Sequence, residues 1–153
     1  VDESVDSIVE HLEYDGFRLP SEGEWLFAAS YIDGSSWTSE TYASGATSAD
    51  SADVQLVAWF VENAESTTHT VGQKTANALG LYDMSGNVHE YCWDWLGAWP
   101  VTAQTDYRGA GSSETRVRHG GGWFSELQFL QLGYRFGAFP DVGDLEYGFR
   151  LVR

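Results

Sequence analysis

Asn77-Ala78-Leu79-Gly80-Leu81-Tyr82-Asp83-Met84-Ser85-Gly86-Asn87-Val88-His89-Glu90-Tyr91-Cys92-Trp93-Asp94-Trp95 is the most regular stretch of this 153-residue chain. Its Ser85-Gly86-Asn87 centre is a tight turn, because glycine and asparagine accept the backbone angles such turns require. After the turn, Val88, Glu90, Cys92 and Asp94 alternate with His89, Tyr91, Trp93 and Trp95. That period of two predicts a strand.

Upstream, Ser21-Glu22-Gly23-Glu24 is a capping box, with Ser21 as N-cap and Glu24 three residues on. It predicts a helix over Glu22–Ser30, entered from the extended link Phe17-Arg18-Leu19-Pro20. Val5, Ile8, Val9 and Leu12 lie at i, i+3, i+4 and i+7 and predict an earlier helix over Ser4–Leu12, capped by Asp2 or Ser4. Thr41 to Asp53 is rich in Ser, Ala, Thr and Asp and reads as a long surface loop. Val54 to Val61 is apolar, with Trp59 as its expected anchor. Leu96 to Ser113 reads as a second loop. No repeat or linker divides the chain, so one domain over 1–153 is expected.

Composition narrows the function. A net charge of −15 argues against binding to nucleic-acid backbones or anionic membranes. The single Cys92 excludes an intrachain disulfide and reads as a small buried residue. His89-Glu90 lacks the second histidine of a zinc-protease motif, and His11, His69 and His119 show no ligand spacing. Asp33-Gly34-Ser35-Ser36 is a turn rather than a calcium loop, since alternating acidic ligands are missing. No Glu-Pro-Asn or Gln-Pro-Asp sugar-binding tripeptide occurs.

Arg116 to Arg153 is built differently from the rest. Its ends, His119-Gly120-Gly121-Gly122-Trp123 and Gly148-Phe149-Arg150-Leu151-Val152-Arg153, look like framework. Between them Phe124, Phe129, Leu130, Leu132, Tyr134, Phe136, Phe139 and Leu145 mix with Gly137, Ala138, Val142, Gly143 and Asp144 in no helical or strand period. Two readings stand. One is a coil-rich core segment; the other is an exposed loop surface loaded with aromatic residues and suited to binding.

Phe17-Arg18-Leu19-Pro20-Ser21-Glu22-Gly23-Glu24-Trp25, His69-Thr70-Val71-Gly72, Asn77 to Glu90, Arg116 to Trp123 and Gly148 to Val152 follow one another in the order of a known family. Together they resemble the formylglycine-generating enzymes, or sulfatase-modifying factors. The resemblance implies an α+β fold of the C-type lectin type: two helices, a small twisted antiparallel sheet and many long loops. The family's N-terminal strands have no counterpart in the sequence. The family's oxidases hold copper through two cysteines between the Gly-Gly-x-Trp turn and the Gly-Phe-Arg ending, where soft sulfur selects Cu(I). Here that interval has no cysteine, so the expectation is a protein that is not an enzyme and has no catalytic cofactor. The resemblance also implies a structural calcium held by the side chains of Asp83 and Glu90 and the carbonyls of Gly86 and Val88, oxygen ligands of the kind calcium takes. The alternative is that Asp83 caps the turn and Glu90 pairs with an arginine.

The departures from family pattern concentrate between His119 and Tyr147. This distribution is similar to that of variable proteins of diversity-generating retroelements, including the treponemal type. In these, error-prone copying of template adenines turns Asn codons into codons for Phe, Tyr, Ser, Gly, Asp, Leu, Val, Ala or His. Glu126, Gln128, Gln131 and Glu146 fall outside that set. The resemblance marks 116–153 as a candidate variable region. It implies ligand binding by His119, Phe124, Ser125, Phe129, Tyr134, Phe136, Gly137, Ala138, Phe139, Val142, Gly143, Asp144, Leu145 and Tyr147. The expected partner is a protein or other macromolecular surface, met at the cell surface or outside the cell, with membrane attachment only through an upstream lipid anchor. Phe124, Phe129, Tyr134, Phe136, Phe139 and Tyr147 should then face solvent, while Trp123 and Phe149 should be buried framework. The competing expectations are an oxidase-like enzyme and an ordinary divergent lectin-like domain.

Overall fold

Ser21 opens the first described helix as its capping box predicts. The computed structural model describes residues 16–102 and 104–153, so the expected Ser4–Leu12 helix lies outside the described residues. Helix α1 spans Glu22–Ser30. The Ser21 hydroxyl accepts from the Glu24 N–H at 3.2 Å, and the Glu24 carboxylate accepts from the Ser21 N–H at 2.8 Å. Both bonds satisfy donors that a helix start would otherwise leave open. Glu24 also forks onto Arg18 at 2.6 Å through both oxygens, which holds its carboxyl down at about 2.

A short helix α2, Ser51–Val57, spans the boundary between the stretch expected to be loop, which ends at Asp53, and the apolar stretch after it. Val54 and Val57, three residues apart, bury one side of it, while Leu56 stays exposed. Phe60, not Trp59, anchors this segment: Phe60 is fully buried with Val54, Val57, Ala58 and Leu130. Trp59 is half-buried, with its ring stacked on His69 at 3.8 Å and the Lys74 ammonium over its face at 3.7 Å.

The sheet has four strands: β1 His89–Trp95, β2 Arg116–His119, β3 Phe136–Ala138 and β4 Tyr147–Gly148, in spatial order β3-β2-β1-β4. A 3-10 turn at Leu127–Leu130 lies between β2 and β3. The β1–β2 and β2–β3 pairs are antiparallel, as expected, but β4 runs parallel to β1 with His89 opposite Tyr147. The wholly antiparallel expectation fails at this edge because the chain leaves one side of the sheet after β3 and joins the other. A parallel partner requires such a crossover. The chain end is then tied back by reciprocal Arg18–Val152 backbone bonds of 3.0 and 2.9 Å.

A second apolar cluster, Trp25, Ala29, Met84, Cys92, Val117 and Leu132, joins α1 to the inner sheet face. That face also carries charge. Glu90, Cys92 and Asp94 of β1 all point inward and are buried. Asp94 accepts from the Glu22 N–H at 2.8 Å, placing a carboxylate at the positive end of α1. Glu22, wholly enclosed, accepts from His119 Nε2 at 2.8 Å and from Arg135 at 2.8 and 2.6 Å. Both Glu22 oxygens therefore have hydrogen-bonded partners, the condition for tolerating a buried charge, whereas Asp94 Oδ1 is buried without one. Gly86 (φ +80°) and Gly120 (φ +89°) make the turns that bring β1 and β2 together, and the Gly86 N–H donates to the Gly120 carbonyl at 2.8 Å.

Candidate binding face

The sheet register assembles the outer face. Tyr91 of β1 lies opposite Arg118 of β2, and Arg118 lies opposite Phe136 of β3. Because strand side chains alternate, these three share the side away from Glu90 and Val117. Tyr147 of β4 joins them beside His89. Aromatic contacts then run without a break. Phe129, Tyr134 and Phe136 form a mutual trio with centroids 4.7 to 5.6 Å apart. Phe136 meets His89 at 4.9 Å, His89 meets Tyr147 at 6.3 Å, and Tyr147 meets Tyr91 at 5.8 Å, all near-perpendicular.

The loops extend this surface at both sides. Tyr91 donates its hydroxyl proton to the Phe139 carbonyl at 3.1 Å. The Phe124 N–H donates to Glu146 at 3.0 Å, which places Phe124 next to β4. Phe124, Tyr134 and Phe139 are exposed, and Phe129, Phe136 and Tyr147 are half-buried. None of the six is buried. Val142, Gly143, Asp144 and Leu145 are exposed too, on the loop between β3 and β4.

Four of the expected ligand-binding residues lie elsewhere. His119 is only 1% exposed, bonded to Glu22 and stacked on Trp25 at 4.9 Å. Ser125 is buried and accepts from the Gly122 N–H at 2.9 Å, so it closes a turn. Ala138 is buried at the end of β3. Gly137 pairs with Val117, and a side chain there would come within 2.7 Å of Thr115 and 2.8 Å of Leu96. Strand pairing and packing, not display, fix these four.

The two expected framework aromatics are also corrected. Phe149 is 66% exposed, because alternation sends its neighbour Arg150 inward to Glu90 instead. Trp123 is half-buried: its backbone N–H is fixed to the Asn87 carbonyl at 2.8 Å, while its ring rests against Phe124. Conversely, the sequence reading overlooked Tyr91, His89 and Arg118 as members of the face. The signal was present in the β1 alternation, which puts His89 and Tyr91 on the side opposite Glu90.

Besides Arg118, charge on this side comes from Arg116 of β2 and from the exposed Asp141 and Asp144 of the loop after β3. Burial, reinforced by Arg118 and His119, drives the His89 imidazole down to about 3, so it is neutral at physiological pH. Burial also lowers Arg118 and raises Tyr91.

At the segment implied to hold calcium, Asp83 accepts from the Gly72 N–H at 2.8 Å and has a left-handed backbone at φ 55°. Glu90 forks onto Arg150 at 2.7 Å through both oxygens and accepts from the Trp25 indole at 2.7 Å. With Glu90 committed to an arginine, the set does not fit a cage of two carboxylates and two carbonyls. Among the described residues no three His, Cys, Asp or Glu side chains gather as a metal site. Asp83 Oδ1 is buried and without a partner. Cys92 is fully buried; burial, then Glu22, raises its thiol pKa, which leaves it inert as a nucleophile.

The chain is similar to several known proteins. The solved structure of Treponema denticola variable protein 1 superposes with a TM-score of 0.78 at 38% identity, over 89% of this chain and 47% of that one. Chaperone protein LppX of Paenibacillus barcinonensis is 35% identical over 156 aligned residues, 90% of this chain and 49% of its own length. A formylglycine-generating enzyme of Thermomonospora curvata is 29% identical over 160 aligned residues, 96% of this chain and 52% of its own. The chain thus spans about half the length of these relatives. Its fold is the α+β, C-type-lectin-like fold of this group. The model of the sulfatase-modifying factor enzyme 1-like domain matches residues 4–153, and the chain belongs to that family.

Proposed function

We propose that this chain is a non-catalytic display domain. Its C-terminal stretch, 116–153, would present a retroelement-diversified surface that binds a protein or other macromolecular ligand outside the cell. The observation that carries this reading is the distribution of burial in that stretch. Phe124, Phe129, Tyr134, Phe136, Phe139 and Tyr147 are all exposed or half-buried, and ring contacts join Phe129, Tyr134 and Phe136 and reach Tyr147 through His89, while Ser125, Leu130, Leu132 and Ala138 between them are buried. A contiguous exposed set of large aromatics is the kind of patch that serves binding, which supports this reading. Aromatic side chains also give large contact area with few torsions to freeze, as in antibody loops. The likeness to Treponema denticola variable protein 1 supports the same reading. An oxidase reading draws on the family match and on the formylglycine-generating relatives, and nothing at the face supplies a thiol.

Display requires that the face can change while the fold stays. Single replacements of Phe124, Phe129, Tyr134, Phe136, Phe139, Val142, Asp144, Leu145 and Tyr147 by serine should each change unfolding free energy by no more than about 1 kcal/mol. The same replacement at Ala138, or Gly137→Val, should cost roughly 1–3 kcal/mol by overpacking or by burying an unpaired hydroxyl. Urea unfolding of the set checks this. If most face positions cost about 3–5 kcal/mol, as core aromatics do, the face is a packed core edge and the proposal fails.

A further inference from the structure

At the centre of the outer sheet face lies a cation with no hydrogen-bonding partner among the described residues. Arg18, Arg135 and Arg150 each fork onto a glutamate, and Arg116 donates to the Trp93 carbonyl. Arg118 does neither. Its guanidinium is 4.2 Å from the Tyr147 ring centroid and 5.0 Å from that of Phe136. Its Nε and Nη1 are buried and make no hydrogen bond, though the residue as a whole is only half-buried. Asp144 and Glu146 act on it from a distance, and neither pairs with it directly. Asp144 accepts from the Glu146 N–H at 2.9 Å, and Glu146 accepts from the Phe124 N–H at 3.0 Å.

We infer that Arg118 anchors an acidic side chain, aspartate or glutamate, of a protein ligand docked on this face. The inference rests on the display reading above and supplies the ligand's chemistry. The half-buried guanidinium forms no ion pair among the described residues, and an acceptor at its accessible edge would supply one. The guanidinium fork matches a carboxylate in geometry and charge. Its collar of Phe136, Tyr147 and Tyr91 excludes water, which strengthens a charge-assisted bond formed there. The neutral His89 beside it adds no second cation, so the site suits a single compact anion. The rest of the molecule argues against a polyanion, because a net charge of −15 would repel a nucleic acid or a sulfated glycan. A lone carboxylate flanked by apolar residues matches both the anchor and the aromatic face.

The test is an NMR titration of the protein with two capped peptides, acetyl-Ala-Phe-Glu-Phe-Ala-amide and its Gln counterpart, reading the Arg118 Nε–H signal and the Tyr134 and Phe136 ring signals. The Glu peptide should shift the Arg118 signal and bind at least about tenfold more tightly than the Gln peptide. Arg118→Gln should abolish that preference while leaving the thermal midpoint near that of the parent, and Arg118→Lys should keep part of it. Equal binding of the two peptides with shifts at Tyr134 and Phe136 overturns the acidic anchor and leaves the display reading standing. An Arg118 signal that neither peptide moves also overturns the anchor. A heparin oligosaccharide or inorganic phosphate that binds Arg118 more tightly than the Glu peptide overturns the carboxylate assignment. Failure of the serine replacements above would remove the display reading independently of these results.

Discussion

Replacing Glu22 by alanine is expected to destabilise the protein by about 3–5 kcal/mol, the cost of breaking a buried ion pair by removing one partner. Glu22 is enclosed completely and accepts three hydrogen bonds, two from Arg135 and one from His119. Without it the Arg135 guanidinium keeps its bond to the Gly97 carbonyl at 2.6 Å and stays over the Trp99 ring, but loses its counter-charge. His119 loses its acceptor and keeps only its stack on Trp25. The loss falls where α1, β2 and the approach to β3 meet, so it should lower the unfolding midpoint without changing the slope with urea. Glu22→Gln keeps the shape and one acceptor oxygen and should cost less than alanine. Equilibrium urea unfolding of the three proteins checks the order. A Glu22→Ala protein within about 1 kcal/mol of the parent would mean that this triad does not hold the framework.

The second large effect is on acid stability and comes from His89. Its folded pKa is depressed to about 3, from an ordinary value of 6.5, by burial first and then by Arg118 and His119, against a smaller opposing pull from Asp144. A depressed histidine means that the unfolded chain binds the proton first, so stability falls as pH drops below the unfolded value. Between pH 7 and about pH 4.5 the expected loss from this group is about 2–3 kcal/mol, at 1.36 kcal/mol per pH unit. Asp94 works in the opposite sense. Burial raises its carboxyl, so the stability it contributes is present below its unfolded pKa and is lost as pH rises through the folded value. Glu24, held at about 2, loses its contribution mainly below its ordinary value of 4.5, under this window. His89→Phe keeps the aromatic contacts and removes only the titration. The difference in acid loss between parent and variant therefore isolates His89. Equal losses at about pH 4.5 would show that His89 accepts its proton in the folded state.

Much of the framework was legible because local chemistry alone determines it. The Ser21 capping box needs only its own side chains, and the β1 alternation needs only a period of two. Other elements depend on partners far along the chain. Helix α2 has no side-chain cap and a Ser-Ala-Asp start, and only Val54 and Val57 of its residues are buried, too little pattern to separate it from a loop. Strand β4 is two residues long and takes its direction from a crossover. The inward carboxylates of Glu22, Glu90 and Asp94 break the rule that charge stays outside. Their partners lie 60 to 113 residues away, or 72 for the Glu22 N–H on Asp94. The candidate face was half legible. Its loop aromatics stood out because they fit no period, but His119, Ser125, Gly137 and Ala138 were assigned by residue type, and only packing reveals that they are fixed. Phe149 and Trp123 were expected to be buried because their motifs look like framework, but a motif does not fix which way each side chain points.

The central claim is that the stretch between His119 and Tyr147 is a diversified surface on a fixed frame. The DNA around the gene tests it most directly. The expected result is a nearby near-copy of the segment encoding residues 116–153 that differs from it only at adenines. Its differing codons should fall on Phe124, Phe129, Tyr134, Phe136, Phe139 and Tyr147 and spare His119, Gly137 and Ala138. Sequence around the gene with no such copy, or a copy whose differences fall as often on those buried positions as on the aromatic face, would contradict it.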